Sequence, residues 1–126
     1  MKSILLIALG VSLTWCLPTW CQQADDSKPN TTAWLVEACR THSKERGTLT
    51  NVDNMKLSFC GGYMAALMEL RDVQVPKERL FCVPEGASVG QMAKVFVKYA
   101  DQHPERLHHP RMILVTDALQ QAFPCH

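Results

Sequence analysis

The sequence predicts an all-α domain, a small compact bundle of four main helices stapled by two disulfides. Apolar residues recur at helical spacing in four segments, and no segment shows the sustained alternation of a strand. A helix-starting pattern precedes one of these segments at Ser88-Val89-Gly90-Gln91. Four cysteines remain after an N-terminal export signal, and an even number in a small exported domain indicates two disulfides. Four helices of this length are enough for a compact bundle.

The first 21 residues have the pattern of a signal peptide that is cleaved on export. Met1-Lys2 is a short positive start, and Ser3 to Trp15 is apolar. The apolar run is too short to span a membrane, which takes about 20 residues. Cleavage before Gln22 and cleavage after Ala24 both fit the sequence. Residues 22–31 are predicted to be a flexible leader because they are polar, and residues 32–126 are predicted to form a single domain.

The mature chain carries no net charge that would suggest a nucleic-acid partner. Removal of residues 1–21 takes away only Lys2, which leaves 12 basic and 12 acidic side chains in about 105 residues. No stripe of basic residues is present, which argues against nucleic-acid binding. No segment after the signal peptide is long and apolar enough to span a membrane.

The first helix is predicted over about Thr32 to Glu45. Asn30, Thr31 or Thr32 supplies a side-chain oxygen for the free amides at its start. Its apolar face carries His42, which we interpret as a half-buried structural residue. Gly47 is a suitable place for the helix to stop.

The second helix is predicted over about Asp53 to Arg71 and is expected to be the central helix of the bundle. Two adjacent rows form its apolar face: Phe59, Tyr63, Leu67 and Leu70 in one, and Cys60, Met64 and Met68 in the other. Gly61 and Gly62 lie in its middle, where each costs roughly 1 kcal/mol relative to alanine. We therefore expect another backbone to come close to them.

The bounds of the remaining elements are predicted from residues that end helices and residues that cap them. Val75-Pro76 ends the second helix, and Phe81-Cys82-Val83 is a short apolar segment expected to pack on that helix. The third helix runs from the Ser88 capping box to His103-Pro104, with an apolar row of Val89, Met92, Phe96 and Tyr99. The fourth runs over about Pro110 to Ala122, with Ile113, Val115, Leu119 and Ala122 as its apolar positions.

The four remaining cysteines allow three disulfide connectivities. We prefer Cys60–Cys82 with Cys39–Cys125, because the Cys82 segment is expected to double back across the second helix. The second bond would then tie the C-terminus to the first helix. No close pair such as C-x2-C is present, which argues against a zinc site.

No motif in the sequence indicates catalysis, and we predict neither enzyme activity nor a cofactor. The cysteines are better explained as bridges than as nucleophiles, and Ser58 lies in a helix without an elbow motif. Glu69 and Asp72 lie three residues apart at a helix end, which is typical of a solvated edge. His103, His108 and His109 lie near prolines in an irregular turn without a recognised ligand spacing, so we predict a solvated turn and no metal.

Several short motifs, taken in order, resemble the Rap1a/Tai family of immunity proteins. The resemblance covers about Leu35 to Cys125, and the family usually has glycine where Ala66 stands. The motifs are Cys60-Gly61-Gly62-Tyr63-Met64-Ala65-Ala66, Cys82-Val83-Pro84, Gln91-Met92 with Val95 to Tyr99, His103-Pro104-Glu105, Ala118-Leu119 and Ala122-Phe123-Pro124-Cys125.

The resemblance implies a periplasmic, helical, disulfide-bonded protein that is often dimeric. Characterised members bind and block peptidoglycan amidase effectors delivered by type VI secretion, with a protruding loop and a helix obstructing the cysteine-histidine cleft of the effector. The alternative is a periplasmic helical binding or stress-related domain that shares the scaffold but has no toxin partner. The matching motifs are scaffold, so effector contacts do not transfer residue by residue. The partner-binding candidates are therefore the irregular polar segments: Asp72, Gln74, Lys77, Glu78, Arg79, His103, Glu105, His108 and His109.

Overall fold

The structure is a computed structural model that describes residues 31–73 and 76–126, without the side chains of residues 71, 72 and 76. The predicted signal peptide and nearly all of the predicted leader, like Gln74, lie outside the described residues. Four α-helices and four 3₁₀ turns make up the regular structure of the described part, which confirms the all-α fold class. The helices are α1 (Thr32–Arg40), α2 (Asn51–Val73), α3 (Val89–Gln102) and α4 (Arg111–Ala122).

Helix α1 ends five residues before its predicted end. Thr31 caps its start, because the Thr31 hydroxyl accepts a hydrogen bond from the Trp34 amide at 3.2 Å. At the other end, the Thr41 hydroxyl donates to the Ala38 carbonyl at 2.5 Å, and the chain tightens into a 3₁₀ turn over Thr41–Ser43. The prediction that the helix continues to about Glu45 is therefore wrong, since Lys44 is already extended.

Helix α2 begins two residues earlier than predicted, with a reciprocal cap built from Thr50 and Asp53. The Thr50 hydroxyl accepts from the Asp53 amide at 3.1 Å, and the Asp53 carboxylate accepts from the Thr50 amide at 3.0 Å. Lys44 adds an ion pair at 2.7 Å. These bonds, the one from Lys44 first, hold the pKa of Asp53 well below its usual value.

Helix α3, and not α2, is central to the bundle. Helix α3 packs against each of the other three helices, whereas α2 packs mainly against α1 and α3. The Ser88 hydroxyl caps α3 by accepting from the Gln91 amide at 3.1 Å, as predicted. The buried residues of α3 are Met92, Ala93, Phe96, Tyr99 and Ala100.

Helix α2 buries a narrower face than predicted. Cys60, Met64 and Leu67 are buried, but Phe59 and Leu70 are each 36% exposed. The expected close backbone at Gly61 and Gly62 is absent from the described chain, because a Cβ at either position would have nothing within 4 Å. Both corrections have one reason: α2 lies at the edge of the bundle and is covered on one side.

The two disulfides are Cys39–Cys60 and Cys82–Cys125, so the preferred pairing is wrong. Helices α1 and α2 pack directly on each other, which brings the Cα atoms of the first pair to 5.2 Å. The Cys82 amide donates to the carbonyl of Phe123 at 2.8 Å, so Cys82 lies beside the C-terminus. Phe81 and Val83 are buried in the core cluster.

Helix α4 covers the core with Leu114, Val115, Ala118 and Leu119. The predicted apolar positions Val115 and Leu119 are confirmed, but Ile113 is 46% exposed and Ala122 is also exposed. The helix is rotated slightly from the prediction because Leu114 takes the core position next to Val115. Within the described ranges, no helix is long and apolar enough to span a membrane.

Candidate partner-binding surface

The segment before Cys82 presents polar groups on a short turn. Asp72 belongs to the last turn of α2, and Gln74 lies outside the described residues. Lys77 and Glu78 are exposed on the 3₁₀ turn Pro76–Glu78. Arg79 is half-buried, and its Nε atom is buried without a hydrogen-bond partner among the described residues. Lys77 and Glu78 thus face solvent and are open to polar contacts, whereas Arg79 is less accessible.

The segment after α3 is held in place by Arg106. Its guanidinium donates to the hydroxyl of Tyr99 and, at 2.5 Å, to the carboxylate of Asp117. The bond to Asp117 raises the pKa of Arg106, so the side chain stays charged. These contacts fasten the 3₁₀ turn Pro104–Arg106 to both α3 and α4.

His103 and Glu105 lie on the outer side of this turn. The His103 ring stacks on Tyr99 with centroids 4.4 Å apart, and its Nδ1 atom lies 3.3 Å from Glu105 Oε1. The pKa of Glu105 lies below its usual value, first because its own backbone N–H bonds the carboxylate and also because of His103. The Glu105 carboxylate and the His103 imidazole both form hydrogen bonds, so this pair suits contact with a polar surface of a partner protein.

His108 and His109 lie between the turn Pro104–Arg106 and helix α4. Their rings lie 4.5 Å apart, and the carbonyl of His109 accepts a hydrogen bond from the Thr32 hydroxyl at 2.5 Å. This bond ties the end of the segment to the start of α1, while the His109 amide donates to the carbonyl of Arg106 at 2.9 Å. In the part of the chain that the structure describes, no three potential ligands among His, Cys, Asp and Glu come together as a metal site.

A groove runs between the C-terminal halves of α3 and α4. One cavity of about 390 Å³ opens into a shallower one of about 660 Å³, and Tyr99 and Gln121 line both. We call this the α3–α4 groove, and its lining comprises Val95, Lys98, Tyr99, Gln102, His103, Arg106, Asp117, Ala118, Gln120, Gln121 and Ala122. Amide side chains beside an apolar floor suit a protein segment that offers both peptide groups and apolar side chains.

Both predicted segments are connected to α4, the later one directly and the earlier one through Cys82. Arg106 of the later segment is bonded to Asp117 of α4, and the earlier segment leads to Cys82, whose amide bonds the Phe123 carbonyl at the end of the same helix. These two attachment points are six residues apart, or roughly 9 Å along a helix. Tyr99, Arg106 and Asp117 were not predicted to be parts of this surface. The only sign of this contact in the sequence was that Arg106 and Asp117, on either side of the start of the fourth helix, carry opposite charges.

Comparison with known proteins assigns the chain to a family. A family model described as Rap1a immunity proteins matches residues 31–125. The chain belongs to the Rap1a immunity protein family. No curated protein and no solved structure gives a significant match. The resemblance seen in the sequence is thereby confirmed.

The family match covers nearly all of the domain that the structure describes. The match begins at Thr31, the cap of α1, and ends at Cys125, so it contains all four helices and both disulfides. Rap1a immunity proteins are not enzymes, which agrees with the prediction made from the motifs. An immunity protein protects by binding, so membership implies a cognate toxin partner.

Proposed function

We propose that this protein is a periplasmic immunity protein that binds a type VI secreted peptidoglycan amidase effector and occludes its active-site cleft. The observation that carries the proposal is the family match over residues 31–125. The two disulfides support a periplasmic location, because such bonds persist in oxidising compartments. Export would depend on the predicted signal peptide over residues 1–21.

The α3–α4 groove and the turn over Pro104–Arg106 are the surface we assign to the effector. The Arg106 bonds hold this turn rigidly against two helices. A turn that is held in place beside a groove loses little conformational freedom on binding, which favours tight occlusion of a cleft. The exposed turn with Lys77 and Glu78 is a second candidate contact. His108 and His109 stay candidate contacts beside this turn, since His108 is exposed and the His109 amide donates to the Arg106 carbonyl at 2.9 Å.

A periplasmic co-expression assay tests the proposal. The full chain is exported together with an amidase effector of the type VI class encoded beside its gene, and lysis of the host is followed. Rescue of growth and co-purification of the two proteins are expected. No rescue and no binding, with the effector shown to be active, would refute the immunity role and favour a periplasmic binding domain without a toxin.

Two matched substitutions test the assigned surface. Gln121→Arg places a long cation in the α3–α4 groove and is expected to weaken effector binding at least tenfold, or by about 1.4 kcal/mol. Gln91→Arg makes the same change at an exposed position in the first turn of α3 and should leave binding unchanged. Equal binding by both variants, with rescue by the parent protein, would refute the surface but not the function.

A further inference from the structure

The two disulfides differ in their access to solvent. Cys39 and Cys60 are 1% and 0% exposed, and the bond between them belongs to the buried core. Cys125 is exposed and Cys82 is half-buried, so the bond that joins these two residues reaches the surface. A thiol exchanges with a disulfide only where it can approach one of the sulfur atoms. The two bonds of this domain therefore differ in the first requirement for thiol–disulfide exchange.

The chain segments that carry the two bonds also differ. Cys39 and Cys60 lie in α1 and α2, which pack directly on each other, so a thiol must separate two helices to reach their bond. The Cys82–Cys125 bond instead joins two segments without helix, residues 79–84 and 123–126. Local opening at a chain end costs less free energy than separation of packed helices. The second bond is therefore both more exposed and easier to open.

Within the exposed bond, the two sulfur atoms are not equivalent. Cys82 lies between Phe81 and Val83, which are 3% and 5% exposed and hold this part of the backbone against the core. Cys125 follows Pro124 near the end of the chain, and both of these residues are exposed. The attacked sulfur must be open to the incoming thiolate. Access therefore makes Cys125 Sγ the target of attack and Cys82 the leaving group.

The contacts around the bond allow it to open and to close again. Cys82 stays in place without the disulfide, because its amide donates to the Phe123 carbonyl at 2.8 Å and its neighbours are buried. Cys125 can move with the last residues of the chain, and the contact of its Sγ atom at 3.9 Å from the Arg79 carbonyl is then lost. Since Phe123 lies only two residues before Cys125, the free end stays close to Cys82. A short tether of this kind favours closure of the bond.

We infer that Cys125 is a thiol-exchange site, at which an external thiol forms a mixed disulfide with the folded protein. The external thiolate forms a bond to Cys125 Sγ while the Cys82–Cys125 bond breaks, and the electron pair of the broken bond leaves on the Cys82 sulfur. The products are a mixed disulfide at Cys125 and a thiolate at Cys82, which takes a proton from solvent. The Cys39–Cys60 bond and the helices remain. This inference does not depend on the proposed toxin partner.

Reaction of the oxidised mature chain with reduced glutathione tests the inference. Samples are taken over time under native conditions, quenched with acid, alkylated and mapped as peptides without reduction. The Cys82–Cys125 bond is expected to open at least about 100-fold faster than the Cys39–Cys60 bond, and the first glutathione adduct is expected on Cys125. Circular dichroism should show that the helices are retained. Equal rates for the two bonds, a first adduct on Cys82, or loss of the helices on opening would overturn the inference.

A second reaction distinguishes the two sources of the thiol, a small molecule and the Cys-x-x-Cys dithiol of a protein. A thioredoxin whose second active-site cysteine is replaced by serine cannot complete the exchange, so it stays attached as a mixed disulfide. A complex trapped through Cys125 would extend the site to protein dithiols. Reaction with glutathione alone would assign the site to small thiols. Reaction with neither would overturn the inference.

Two matched variants compare the access to single thiols. Cys82→Ser leaves Cys125 as a free thiol, and Cys39→Ser leaves the buried Cys60 as one. With 5,5′-dithiobis(2-nitrobenzoate), the Cys125 thiol is expected to react at least about 100-fold faster than the Cys60 thiol. Equal rates in two variants that both retain their helices would overturn the inference. If Cys39→Ser does not fold, the rates at which glutathione opens the two bonds of the parent protein decide.

Discussion

Removal of the Cys82–Cys125 disulfide tests the observed connectivity through its energetic cost. The bond closes a loop of 43 residues. The loss of unfolded-state entropy for a loop of this length is worth about 4 kcal/mol. The Cys39–Cys60 bond closes 21 residues, which corresponds to about 3 kcal/mol. Since small domains are stable by about 5–15 kcal/mol, either bond is a large share of the total.

The double variant Cys82→Ala/Cys125→Ala is therefore expected to lose about 4 kcal/mol of unfolding free energy. For a domain of this size, that corresponds to a fall in Tm of roughly 15–30 °C. Urea denaturation followed by circular dichroism measures the free energy, and calorimetry measures Tm. Hydrogen exchange should rise most around residues 81–83 and 123–126, because the bond and the Cys82–Phe123 hydrogen bond join these segments.

The double variant Cys39→Ala/Cys60→Ala is the comparison. Its loop is shorter, but both cysteines are buried between α1 and α2, so removal of their sulfur atoms adds a cavity cost. Its hydrogen exchange should rise in those two helices instead. Peptide mapping under non-reducing conditions identifies the bonds directly. A Cys39–Cys125 link in that map, or a loss below about 1 kcal/mol for the Cys82 variant, would contradict the observed connectivity or its energetic cost.

Three further predictions concern the core, the cap and a glycine. Met64→Ala should lower the free energy of unfolding by about 2–5 kcal/mol, because the Met64 side chain is fully buried. Met112→Ala, at a position 48% exposed, should change it by no more than about 0.5 kcal/mol. Urea denaturation measures both values. Asp53 has a depressed pKa, so its contribution to the stability of the fold is present above about pH 4 and is lost as the pH falls further. Asp53→Asn should therefore flatten the acid limb of a curve of Tm against pH. Gly61→Ala should raise stability by about 0.5–1 kcal/mol, since nothing lies near its Cβ position; a decrease would mean a neighbour is present.

The local features of the helices were predictable because their signals lie within a few residues. The Ser88 cap and the apolar row of α3 appear in the structure as the sequence indicates. The start of α1 next to Thr31 is also decided locally, because the Thr31 hydroxyl accepts a hydrogen bond from the free amide of Trp34. Helix ends were harder to predict, because α1 stops where the Thr41 hydroxyl bonds the preceding turn. Such a bond competes with continuation of the helix in a way that periodicity does not show.

The candidate surface was predictable only in part. The polar segments around Lys77 and Glu105 were identified from composition, and both are exposed. The bond from Arg106 to Asp117 joins residues on different elements, so no spacing rule marks it. The exposed apolar face of α2, which includes Phe59 and Leu70, was hidden for a related reason. The sequence shows that the helix is apolar on a wide arc, but only its neighbours decide which part of that arc is covered.

Composition and local pattern thus determined the all-α class, the number and approximate bounds of the helices, the two disulfides and the family. These properties depend on the order of residues within one short segment, or on motifs that can be recognised in the sequence alone. Tertiary structure decided which cysteines pair, which helix is central and which apolar residues face solvent. Each of those depends on distances between segments far apart in the chain. Cys39 meets Cys60 because α1 and α2 pack together, and the Phe59 face stays open because α3 occupies the centre.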